Sequence, residues 1–231
     1  LGTMNNWAQM YKIIRKVNII FSRINECKDL TNIEQREILG YAHFMRGYAY
    51  YNLLQNFGPV VLVGDEPMNT NESPAYYNKE RATYDESVDY ICNELEIAAN
   101  YIPLRVTVSQ FGRPTRGAAY ALIARLRLQQ ASPLFNEKSD IERWHKAALA
   151  SKAVIDSCGK YNVKLGKYSD LWGADNWKAS EMIYVRRIGD LNSLESNNFP
   201  IGVEGGNSGN CPTQTLVDAY EMKTTGMRWN E

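Results

Sequence analysis

The stretch Ala42–Val63, AHFMRGYAYYNLLQNFGPVVLV, constrains this chain more than any other part of it: a strongly patterned helix has to stop at Asn56-Phe57-Gly58-Pro59 and pass directly into β-branched residues. Pro59 has no N–H to continue a helix, and Gly58 can take backbone angles closed to other residues. The helix is predicted to begin at Thr31, whose hydroxyl caps the free N–H groups while Glu34 reaches back as a capping box. It then carries Ile38, Ala42, Met45, Ala49 and Leu53 inward. Val60–Val63 is predicted as a short extended piece, followed by an irregular surface loop over Gly64–Lys79, rich in Pro, Asn, Asp and Ser.

The remaining elements read in the same way. Trp7, Met10, Tyr11, Ile14, Val17, Phe21 and Ile24 recur at spacings of three and four, the stripe of an amphipathic helix over roughly Met4–Cys27. Thr83 and Glu86 form a second capping box for a helix through Tyr101 with Val88, Ile91, Leu95 and Ala98 inward, and Pro103 ends it. Thr115 is predicted to cap a helix to about Ala131 lined by Ala118, Ala121, Leu122, Ala124 and Leu128. A further helix runs from Ile141 to Ser157, with Gly159 as its C-terminal cap. Small side chains at Ala118, Ala119, Ala121 and Ala124 let a neighbouring helix approach closely. Beyond Lys160, short extended runs around Tyr161, Val163, Met182, Tyr184 and Val185 lead into a Gly/Asn-rich stretch, Asn192–Asn210. The fold class is therefore mostly α: one domain, with a helical scaffold over residues 1–159 and a loop-rich segment with short strands and a short helix over 160–231.

The 231 residues carry a formal net charge of zero, so no basic field exists to hold polyphosphate and nucleic acid is not an expected partner. No run reaches the roughly 18 apolar residues of a membrane span. The four cysteines, Cys27, Cys92, Cys158 and Cys211, lack the spacing of zinc or redox sites. Cys92 falls on an apolar helix side and reads as core. Cys27 and Cys158 sit at helix ends, where a disulfide can form in an oxidising compartment. The acidic pairs Asp85/Glu86 and Glu94/Glu96 lie on regular helices and read as solvated faces rather than the paired carboxylates of a glycosidase. His43 and His145 belong to no triad spacing, and Gly205-Gly206-Asn207-Ser208-Gly209 lacks the Lys of a phosphate loop. Neither a catalytic residue, a metal site nor a cofactor is expected.

The signature helix and its exit resemble the SusD/RagB family of outer-membrane nutrient-binding lipoproteins, through Phe44, Arg46, Gly47, Tyr50, Leu53, Phe57, Gly58, Val60, Leu62 and Val63, with Val61 where the family has Pro. The resemblance continues in order through Trp7, Tyr11, Ile14 and Asn18, then GRPTRGAAYALIARLRLQQASPLFN at Gly112–Asn136, Trp144, Ala147 and Ala148, and the segments Lys160–Trp172, Ser180–Val185 and Pro212–Met222. It implies tetratricopeptide-like helical hairpins, although no strict repeat of about 34 residues is visible in the chain. It also implies a non-catalytic cell-surface protein of a Gram-negative bacterium that delivers an oligosaccharide or polysaccharide, or a peptide, to a SusC-like TonB-dependent outer-membrane transporter. The lipid anchor would lie upstream of this chain, which on the family's length reads as incomplete.

Aromatic residues beside polar ones suit sugars, whose C–H faces stack on rings while amides and carboxylates bind hydroxyls. Trp7, Tyr48, Tyr50 and Tyr120 sit at helical spacings and read as packing. The loop-borne candidates are Phe199, with Asn197, Asn198, Glu204 and Asn207 as hydrogen-bonding partners, and Tyr76 and Tyr77 as a second platform near Asn69, Asn71 and Asn78. A connector as long as Asn192–Asn210 is either functional or disordered. Two rival readings are a helical-repeat module for protein or peptide and a glycan-degrading enzyme.

Overall fold

The computed structural model describes residues 6–104, 106–161, 163–171, 176–185 and 193–228. They fall into two compact units, residues 1–186 and residues 187–231. The first unit holds α1 (Trp7–Arg23), α2 (Asn32–Phe57), the single turn α3 (Pro74–Tyr77), α4 (Tyr84–Tyr101), α5 (Arg116–Ala131) and α6 (Ile141–Tyr161). Consecutive long helices pack on one another, α1 on α2, α2 on α4, α4 on α5 and α5 on α6, as a stacked helical array does.

Local chemistry sets the starts of α2 and α4. Thr31 Oγ1 accepts the Glu34 N–H at 3.3 Å while Glu34 Oε2 accepts the Thr31 N–H at 2.9 Å, closing the expected box at α2. Thr83 and Glu86 do the same at α4, at 3.2 and 2.7 Å. Thr115 occupies the N-cap position of α5, but its side chain makes no capping bond. Gly159 lies inside α6 rather than ending it, since one glycine costs a helix only about 1 kcal/mol and the helix carries on to Tyr161. After α1 ends at Arg23, a 3-10 turn over Ile24–Glu26 finishes that segment.

The core joins Ile14 of α1, Phe44, Tyr50 and Leu53 of α2, Val88, Ile91 and Leu95 of α4, and Ala119 and Leu126 of α5, all fully buried. Trp7, Tyr48 and Tyr120 pack against this core, and Cys92 is buried within it, its thiol pushed up to about 12 by desolvation. Cys27 is exposed and free, and the side chain of Cys158 lies outside the described residues. The inward face of α5 differs from expectation. Leu128 is 52% exposed, whereas Ala118, Ala119, Ile123 and Leu126 are buried, because α5 is covered by both α4 and α6.

Val60–Val63 is extended but joins no sheet among the described residues, and side chains satisfy half of its backbone groups. The Tyr11 hydroxyl donates to the Val61 carbonyl at 3.0 Å and accepts the Val61 N–H at 3.1 Å. The Tyr50 hydroxyl accepts the Val63 N–H at 3.2 Å, and the Val60 carbonyl takes the Ala82 N–H at 2.9 Å. Arg81 donates to the carbonyls of Phe57 and Pro59, neutralising the end of α2. The other expected extended runs form no ladder among the described residues. Tyr161 closes α6, and Lys164 and Ser180 share one backbone bond of 3.1 Å.

Gly58 ends α2 at φ 72° and ψ −154°, a region closed to side-chain-bearing residues, with open space around it. Gly58→Val is therefore expected to lose about 1–3 kcal/mol through backbone strain alone, seen as a melting temperature lowered by several degrees. An unchanged melting temperature would show that the break tolerates another geometry.

The second unit contains two short helices, α7 (Ser193–Asn198) and α8 (Gln214–Asp218). Only isolated bridges, Ile201 with Val203 and Glu221 with Arg228, stand where short strands were expected among the described residues. No helix among the described residues is long and apolar enough to cross a membrane.

Candidate functional site

The signature arginine turns inward. Arg46, 2% exposed, donates from Nε and Nη2 to the two carboxylate oxygens of Glu94, both at 2.7 Å, a bidentate pair between α2 and α4. Its Nη1 reaches Asn18 Oδ1 of α1 at 3.1 Å and Asp65 at 2.7 Å, and its guanidinium carbon lies 4.5 Å from the centroid of the Phe21 ring. His43 Nδ1 lies 3.0 Å from Glu94 Oε2. Burial alone would raise the Glu94 carboxyl, but the hydrogen bonds from His43 and Arg46 outweigh it and hold the group below its ordinary range. Glu94 is thus a buried structural acid, not part of a solvated face.

This buried cluster fixes the start of the surface loop that leaves α2. Asn18 Nδ2 donates to the carbonyls of Gly64 and Glu66 at 2.9 and 3.2 Å, and Arg15 donates to the Met68 carbonyl. An open groove lined by Tyr11, Lys12, Arg15, Val63 and Met68 runs beside it. Farther along, α3 presents Tyr76 and Tyr77 edge to face, with centroids 5.2 Å apart. Both hydroxyls are tied to the loop. Tyr77 donates to the Asn69 carbonyl at 2.9 Å and accepts the Glu72 N–H at 3.0 Å, while Tyr76 accepts the Asn69 N–H at 3.3 Å. Tyr77 is 42% exposed, and Lys79 Nζ sits 5.5 Å from the centroid of the Tyr76 ring. The result is an aromatic pair held by its polar ends, with ring surface left to solvent.

In the second unit, α7 and the segment 207–210 run side by side. Asn207 N–H donates to the Ser196 carbonyl at 2.8 Å, Ser208 to Phe199 at 3.0 Å and Asn210 to Asn197 at 2.8 Å. The glycines here serve close packing. A Cβ on Gly206 would stand 2.5 Å from the Pro200 carbonyl, and one on Gly209 would stand 2.6 Å from Asn197 Oδ1. This pairing brings Asn197, Asn198, Phe199 and Asn207 together and leaves Phe199 45% exposed. Part of their amide capacity is spent internally, Asn198 accepting from Asn210 Nδ2 and Asn207 from the Gly209 N–H. Glu204 stands exposed in the turn that follows Val203. The stretch expected as one long loop is instead a short helix, a tight turn and a paired return; Asn192 lies outside the described residues.

Paired helices locked by a buried ion pair, with aromatic and amide side chains carried on the connections, define a helical-array scaffold. The family model described as "Starch-binding associating with outer membrane" matches residues 2–128, and the chain belongs to this SusD-like family. A SusD-like protein from Bacteroides fragilis superposes with a TM-score of 0.75 at 26% identity, over 97% of this chain and 43% of its own. Surface glycan-binding protein A from Bacteroides uniformis, 23% identical, gives 0.63 over 80% of this chain and 37% of its own. A protein described as a laminarin-binding SusD-like protein, also 23% identical, gives 0.64 over 77% and 36%. This chain therefore spans less than half the length of those structures. No curated protein matches it.

Proposed function

We propose that this chain is the helical part of a non-catalytic surface protein that captures an oligosaccharide or polysaccharide and delivers it to a SusC-like TonB-dependent barrel in the outer membrane. Membership of a starch-binding, outer-membrane family over residues 2–128 carries the reading. The names of two structural relatives, one glycan-binding and one laminarin-binding, point to the same ligand class. The geometry supplies ring surface at Tyr77 and Phe199 with amides close by, suited to many shallow contacts and a modest affinity. A lipid anchor upstream and recovery of a barrel from the outer membrane belong to the same proposal.

Calorimetric titration of laminarin and starch oligosaccharides tests it. Phe199→Ala and the double change Tyr76→Ala/Tyr77→Ala should each remove about 1–3 kcal/mol of binding, by analogy with bases stacked on aromatic side chains. Tyr77→Phe keeps the ring and loses the loop tether, so it separates stacking from loop order. Wild-type affinity in all these variants would remove both platforms from the site. Glycan chain length should stay constant during incubation, and release of reducing ends would instead favour an enzyme.

A further inference from the structure

At the far end of the α2–α4 pair, the first turn of α2, the last turn of α4 and the start of α5 surround an open groove of about 580 Å³. Its lining includes Asn32, Ile33, Arg36, Asn100, Tyr101 and Arg116. Two guanidiniums line it. Arg46, Arg127 and Arg143 each pair with a carboxylate, whereas Arg36 and Arg116 pair with none among the described residues. Arg36 is held over the Tyr101 ring, 4.9 Å from its centroid. Such a contact leaves a guanidinium's in-plane N–H donors available to an acceptor. Arg116 is fixed by its own backbone, which donates to the Pro103 carbonyl at 3.2 Å, and it lines the groove from the first turn of α5.

We infer that this groove is a subsite for an acidic sugar residue, a uronate, whose carboxylate is taken by Arg36 and Arg116. The inference rests on the glycan-binding reading above and adds the charge of the ligand. A planar carboxylate fits the guanidinium fork, and one negative charge suits a groove in which Glu37 offsets one of the two arginines. A phosphate dianion would meet that glutamate. The amides of Asn32 and Asn100 lie on the same lining for ring hydroxyls, and Ile33, 79% exposed, offers apolar surface to a C–H face.

The probes are a tetragalacturonate and its fully methyl-esterified form, which share a backbone and differ in charge. The acidic form should bind about tenfold or more tightly at low salt, and that advantage should shrink as ionic strength rises. Arg36→Gln and Arg116→Gln should each abolish the preference while leaving binding of the ester unchanged. Glu37→Gln should strengthen binding of the acid, an effect that disturbed folding does not produce. Equal binding of acid and ester, a salt-independent preference, or a preference that survives both arginine changes would overturn the subsite and leave the glycan reading standing. Failure of either tetramer, laminarin and starch oligosaccharides alike to bind would overturn both.

Discussion

Replacing Glu94 with Ala should destabilise the protein by about 3–5 kcal/mol, because it strands a buried guanidinium without its counter-ion. Arg46 is 2% exposed, and its remaining acceptors, Asn18 and the largely solvated Asp65, do not replace a bidentate carboxylate. The denaturant midpoint reads the loss, and a change below about 1 kcal/mol would show that water reaches the pair. The double change Arg46→Met/Glu94→Leu should recover much of the loss, since an apolar pair of similar volume removes both desolvation penalties. Acid adds an independent test. A carboxyl held below its ordinary value of 4.5 contributes its full stability above that pH and loses it as the pH falls through the folded-state value. Wild type should therefore lose stability below about pH 4.5 more steeply than Glu94→Gln.

That cluster also marks where the sequence was readable and where it was not. Capping boxes at Thr31 and Thr83 and stops near Pro59 and Pro103 use neighbours within a few residues, so they were visible in the string. Glu94 was not, because its partner Arg46 lies 48 residues away and the acid sits beside Glu96 on a helix that reads as charged. The signature Phe44-x-Arg46-Gly47 was recognisable as a pattern, but its reason is tertiary. Arg46 closes α1, α2 and α4 around one charge and holds Asn18, which in turn holds the loop at Gly64 and Glu66.

The candidate rings were found by their place in loops beside asparagines, which singles out Tyr76 and Tyr77 among 15 tyrosines and Phe199 among six phenylalanines. Composition does not show that Asn69 ties the first two or that residues 207–210 pair with 196–199, since both depend on backbone partners set by the fold. Arg36 and Arg116 were likewise invisible as a pair. They stand 80 positions apart in the sequence and meet one groove only because α2, α4 and α5 end beside it.

The second large effect should come from Gly40→Ala. A Cβ at Gly40 would sit 2.7 Å from Tyr101 Cβ, 2.8 Å from Ile102 Cγ2 and 3.0 Å from the Ile102 backbone nitrogen, so the end of α4 would have to move. A glycine inside a helix is otherwise a disadvantage of about 0.5–1 kcal/mol relative to alanine, and an exposed position would gain from the change. Here overpacking opposes that gain, and a net loss of about 1–3 kcal/mol is expected, or several degrees of melting temperature. Gly47→Ala is the internal comparison. Its nearest neighbours are the side-chain atoms of Leu95 at 3.1 and 3.2 Å and Glu94 Cβ at 3.3 Å, which can yield by a few tenths of an ångström. It should change stability by less than about 1 kcal/mol, propensity gain and crowding nearly cancelling. Equal effects at the two positions would mean that helix propensity, not the approach of α2 to Tyr101 and Ile102, governs both. A loss confined to Gly40 would place the tightest contact of the helix pair beside the groove that Arg36 and Tyr101 line.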